Sequence, residues 1–193
     1  MTSEERNLHP ALKIGGLVLL ALIGAVVGAA TARFVDASAL PADDALNLFI
    51  GVVLVGMGGI MAVMAALRPS TVPKGCGLLQ TVVMVLAGIM LIVPIYGPNW
   101  VSAEVSLAIV LGLLVVQTVA NVLLWRRADE MLRRVMVETG SLAFWTLQLA
   151  LFVYAASERL GLVEGITAWG MIGILLAVYM VASAVAGARR GLK

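Results

Sequence analysis

Six uninterrupted apolar runs, at 14–32, 46–67, 76–96, 105–125, 139–157 and 166–187, hold 124 of the 193 residues and none of the 24 Lys, Arg, Asp and Glu side chains. Each run is 19 to 22 residues long, enough at 1.5 Å per residue to cross a hydrocarbon core of about 30 Å. A charge at the centre of such a helix costs roughly 2.5–3.5 kcal/mol, so a lipid solvent imposes this partition. The runs are continuously apolar rather than alternating, which selects helices over a barrel. A soluble domain carries about 25% charged residues; here 12% are charged and 62% are hydrophobic. The expected fold is an all-α polytopic membrane protein of six transmembrane helices, arranged as three helical hairpins.

The loops set the orientation. With the N-terminus inside, eleven basic residues fall on the cytoplasmic side (Arg6, Lys13, Arg68, Lys74, Arg126, Arg127, Arg133, Arg134, Arg189, Arg190 and Lys193) and two, Arg33 and Arg159, fall outside. The outer loops carry Asp36, Asp43, Asp44, Glu104, Glu158 and Glu164 instead. The positive-inside rule therefore places both termini in the cytoplasm. The Ala-, Val-, Gly- and Leu-rich composition and short loops suit a bacterial inner (plasma) membrane. Pro94 and Pro98 close the third span in IVPIYGPNW, at a surface where a helix break is cheap. Ala30-Thr31-Ala32 has the form of a leader cleavage site, but Glu4 and Glu5 precede a run of full spanning length, so a retained anchor is expected.

Within the spans, small residues recur at spacing four. Gly24, Gly28 and Ala32 do so on the first, and Gly58, Ala62 and Ala66 on the second. Such faces let helices approach closely, so the first and second spans are expected to pack together. Each hairpin's second helix also follows an acidic residue (Asp44, Glu104, Glu164) and ends near an arginine (Arg68, Arg126, Arg189). Helix dipoles and the positive-inside rule account for that recurrence without a true repeat.

Most chemistry is excluded by what the spans lack. One cysteine, Cys76, allows no internal disulfide or CxxC centre. The single histidine, His9, lies in the N-terminal tail, so no span can ligate haem or a metal through histidine or build a Ser-His pair. No carboxylate lies in a span, which argues against proton or sodium coupling through a buried acid. GMGG at 56–59 lies inside a span with no strand before it and is not a nucleotide loop. No enzymatic activity, cofactor, metal or nucleic-acid partner is expected; the basic residues serve topology.

Two features remain. Uncharged polar residues Gln80, Thr81, Gln117, Thr118, Asn121, Ser141, Thr146 and Gln148 all lie in the cytoplasmic half of their spans, within roughly 14 Å of that surface. They are read either as interhelical hydrogen bonds, worth about 0.6–2 kcal/mol each, or as the lining of a vestibule open to the cytoplasm. Gln80, Thr81, Gln117, Asn121, Ser141 and Gln148 are its main candidates. The second feature is the connector 126–138, RRADEMLRRVMVE. On a helical wheel Ala128, Met131, Leu132, Val135 and Met136 share one face and the charges cover the other. The pairs Asp129–Arg133 and Glu130–Arg134 have the favourable order for helix support. This amphipathic segment either lies on the inner leaflet or extends the fifth span, with Arg126, Arg127, Arg133 and Arg134 offered to a protein partner or anionic lipid.

The leading expectation is a non-enzymatic protein that acts by association, as an accessory or scaffold subunit of a membrane complex or as a homo-oligomer. The alternative is a small uncoupled transporter or channel for a neutral or lipid-like solute. A cavity lined by the polar amides would favour the alternative; a close-packed interior with one flat apolar flank would favour association.

Overall fold

The computed structural model describes residues 28–33, 40–67 and 76–191. Residues 28–33 are helical (α1), and all but Arg33 fall in the first apolar run. The chain divides into two units, 1–39 and 40–193, and these residues belong to the first. The rest of the first span, Gly24 and the retained-anchor expectation lie outside the described residues.

The second unit contains α2 (Ala42–Leu67), α3 (Cys76–Tyr96), a 3₁₀ turn (Gly97–Asn99), α4 (Ala103–Arg127), α5 (Glu130–Arg159) and α6 (Ala168–Gly191). No strand occurs among the described residues. These five α-helices are long and apolar enough to cross a membrane, as a multi-pass membrane protein requires. α3 has the expected bounds; Pro94 sits inside its last turn and Pro98 inside the 3₁₀ turn that follows.

Helix ends are set by local chemistry. The Ser102 hydroxyl accepts the Val105 N–H at the start of α4. The end of α5 is a Schellman arrangement: Gly161 N–H donates to Glu158 O and Leu162 N–H to Ser157 O. Gly161 takes the required positive φ of 71°. Beyond it, Tyr154 ties down the loop to α6, its hydroxyl donating to Glu164 O and accepting the Ile166 N–H.

Adjacent packing runs in the order α4, α3, α2, α6, α5, so α2 is central. Its Ile50 and Leu54 form the buried core with Leu91 of α3, flanked by Trp169, Leu176 and Met180 of α6. The α2–α3 seam is made of glycines. A Cβ on Gly88 would lie 2.5 Å from Gly51 O, and one on Gly58 would lie 2.7 Å from Val85 Cγ2. Gly58 faces α3, which supplies the backbone and side chain that fill its missing volume; the expected packing of the second span on the first lies outside the described residues.

The α2–α6 seam is polar at one end. Buried Asn47 donates from Nδ2 to Asp43 O (3.0 Å) within α2 and to Trp169 O (2.8 Å) on α6. Thr167 donates to the Asp43 carboxylate, and Trp169 Nε1–H donates to Asp44 Oδ1 at 2.9 Å. α2 and α6 therefore run parallel, with two carboxylates beside two helix N-termini, where the dipoles favour negative charge.

α4 and α5 are joined by Ala128 and Asp129 alone, yet among the described residues they are not a packed pair. The corner is pinned by Arg133, whose guanidinium donates to Trp125 O (3.1 Å) and Arg126 O (3.2 Å) and lies 5.8 Å from the Trp125 ring centroid. It thus satisfies carbonyls left open at the end of α4. The expected Asp129–Arg133 pair does not form. Asp129 is instead the N-cap of α5, accepting Leu132 N–H at 2.7 Å, which aims its carboxylate along α5 while Arg133 turns back to α4. Glu130 does pair with Arg134. Residues 130–138 of the connector are thereby the first turns of α5, continuous with the span, while Arg126 and Arg127 end α4.

Candidate functional site

The arrangement leaves an open space near the end of the unit that carries Arg126, Arg127 and Arg189. All five α-helices of the second unit line this cavity of about 340 Å³. Gln80 comes from α3, Gln117 and Asn121 from α4, Thr139 from α5, and Tyr179 and Ser183 from α6. Gln80 and Asn121 lie about 6 and 9 Å along their helices from the ends nearest the arginines, at 1.5 Å per residue. The remaining lining is apolar, and five of the ten methionines take part: Met57, Met61, Met84, Met136 and Met180. No charged side chain occurs in the described lining.

The amides of Gln80, Gln117 and Asn121 make no hydrogen bond among the described residues. Amides in an apolar setting gain by finding partners, so these three supply donors and acceptors toward the cavity. Ser183 is already used, donating to Met180 O at 2.8 Å. The methionine side chains are flexible and polarisable, and such surfaces adapt to differently shaped apolar ligands. The site can hold a molecule that is largely apolar, carries one or two hydrogen-bonding groups and has no net charge.

The other sequence candidates separate from this group. Thr81 turns toward α2, its hydroxyl buried without a partner and its carbonyl 3.3 Å from a Cβ placed on Gly58. Thr118 donates back to Leu114 O. Ser141 lines an external groove along α5. Gln148 and Thr146 are exposed on α5. The connector's apolar face divides as well: Leu132, Val135 and Met136 line the cavity, whereas Met131 is exposed. Of the four candidate arginines, Arg133 pins the corner, Arg134 pairs with Glu130, and Arg126 and Arg127 are exposed.

Sequence reasoning missed Thr139, Tyr179, Ser183 and the methionines of the lining. The available signal was Met57 and Met61 at spacing four, on one face of α2. It also passed over Asn47, the most buried amide among the described residues, which lies in the half of its span away from the basic loops. Comparison with protein-family profiles, with curated proteins and with solved structures gives no match.

Proposed function

We propose that this protein binds, and lets pass, a neutral amphipathic or lipid-like solute through a vestibule in the cytoplasm-facing half of the bundle. Three amides from two helices face one uncharged, methionine-rich cavity, and that observation carries the reading. Lipid-like solutes suit it better than ions, since no carboxylate or basic residue occurs in the described lining. Gln80, Gln117 and Asn121 orient the polar end, and the methionines take the apolar body.

Binding of N-phenyl-naphthylamine, a neutral amphipathic fluorophore, tests this on the purified full chain. Wild type should enhance its fluorescence saturably. Gln117→Leu with Asn121→Leu should weaken binding by about two- to tenfold, the probe's one N–H making a hydrogen bond worth about 0.5–1.5 kcal/mol. Asn121→Trp, at an exposed position on the cavity rim, should abolish it by filling the space. Unchanged binding in both variants removes the reading.

Association remains a second reading, on an observation of its own. The outer face of α5 exposes Phe144, Trp145, Leu149 and Phe152 around the exposed amide of Gln148, and an amide at a lipid-facing position is satisfied best by a neighbouring chain.

Both readings take the basic end as cytoplasmic, in a bacterial inner membrane, with six spans and both termini inside. Single cysteines at Ser38, Trp100 and Gly161 in a Cys76→Ser background should react with an impermeant thiol reagent from outside. Cysteines at Ser70, Met131 and Leu192 should react only after the membrane is opened. One reversed site would break the topology.

A further inference from the structure

On the other side of the α5–α6 pair from the vestibule, a groove runs along the membrane-facing surface. Its open end is lined by Arg133, Arg134, Glu138 and Ser141. It continues, through the shared Leu142, into an apolar stretch between Thr146 of α5 and Ala177, Val181, Ala182 and Val185 of α6. The alanines leave the depth, because larger side chains there would fill the space between the helices. From Val185 to Ala177 the apolar part extends about 12 Å, against about 15 Å for one leaflet's hydrocarbon.

The charges sit at one end. The described corner and groove rim hold five arginines (Arg126, Arg127, Arg133, Arg134 and Arg189) against three carboxylates (Asp129, Glu130 and Glu138). Arg133 is fixed by its two carbonyl acceptors. Arg134 and Arg189 are held at the groove by Glu130 and Glu138, with side chains 63% and 61% exposed. The Arg134–Glu130 pair is exposed at both ends and contributes little, and the Arg189 end of the second pair is open as well, so a phosphate, which makes strong charge-assisted bonds with guanidinium, can engage these donors.

We infer that this groove seats an anionic phospholipid of the surrounding bilayer, its headgroup at Arg133, Arg134 and Arg189 and one acyl chain between α5 and α6. The order of charged mouth and apolar channel, and their lengths, match one leaflet at the depth where the basic end meets the headgroups. This site is independent of the vestibule, which other faces of the same helices line.

Native mass spectrometry of the full chain, titrated with phosphatidylglycerol and with phosphatidylcholine of equal chain length, tests the assignment. Phosphatidylglycerol should bind at least tenfold more tightly. Arg134→Gln with Arg189→Gln should lower its affinity by roughly fivefold per arginine and remove most of its preference over phosphatidylcholine. Val181→Trp, at a 65% exposed position, should weaken both lipids by blocking the acyl channel. Val116→Trp on α4, 53% exposed, controls for added bulk and should change neither. Equal binding of the two lipids by wild type, or full binding by Val181→Trp, overturns the proposal. So does a dimer that Val181→Trp dissociates, since a second copy would then own the groove. Fluorophore binding in the vestibule should persist in Val181→Trp, which keeps the two sites separable.

Discussion

Gly88→Ala should destabilise the folded bundle by about 1–3 kcal/mol, the usual range for overpacking a tight contact, measured as a lower thermal midpoint in detergent. The new Cβ would stand 2.5 Å from Gly51 O and 3.1 Å from Val55 N. Both obstacles are backbone, so no side-chain rotation relieves them, and α2 and α3 must separate. Gly58→Ala should be milder, since its nearest obstacle is a methyl of Val85. Gly56→Ala is the control: nothing lies within 4 Å of that position, and replacing a mid-helix glycine is favourable by about 1 kcal/mol. If Gly88→Ala behaves like Gly56→Ala, the close α2–α3 approach is wrong.

Asn47→Asp should have an effect at least as large. The Asn47 side chain is fully buried and its amide hydrogens go to two carbonyls, Asp43 O and Trp169 O. A carboxylate keeps the shape and replaces both donors with acceptors. It then either holds a buried charge against two carbonyl oxygens or takes up a proton and satisfies one of them. Loss of a buried partner costs about 1–3 kcal/mol and more for a charged group, so Asn47→Asp should exceed Asn47→Leu, which removes both side-chain bonds but leaves each carbonyl its own helix's N–H. Both should be read as thermal midpoints beside an exposed control, Gln148→Leu. If Asn47→Asp is the milder of the two, the amide is not the link between α2 and α6.

Much of the fold was legible because lipid acts on the sequence one helix at a time. Every span must exclude charge along its own length, so the starts and ends of α3, α4 and α6 fall within a few residues of the apolar runs. α5 began nine residues earlier than its run because Asp129 caps it there; charge marks where the apolar face stops, not where the helix stops. Helix neighbours were not legible in the same way. Lipid tails are as apolar as leucine, so partner choice rests on shape and a few polar bonds. Gly58 showed that something packs closely, but its partner is α3, chosen by the position of Gly88 and Val85. Gln117 and Asn121 shared a face from spacing alone, whereas their meeting with Gln80 and Tyr179 depends on α4 and α6 flanking α3 and α2, which no single helix encodes. The split of Gln148 from this group has the same origin.

The parallel pairing of α2 with α6 bears on how the chain is made. The bonds that join them link residues more than 120 positions apart, Asn47 to Trp169 and Asp44 to Trp169. A ribosome delivers α2 to the membrane long before α6 exists. During that interval the Asn47 amide and the two aspartates wait without their mates on α6, and α2 has its contacts with α3 but none of those with α6. The last helix to emerge thus completes the centre of the bundle rather than adding to its rim. Synthesis halted before residue 168 would leave the central helix without the bonds that join it to α6.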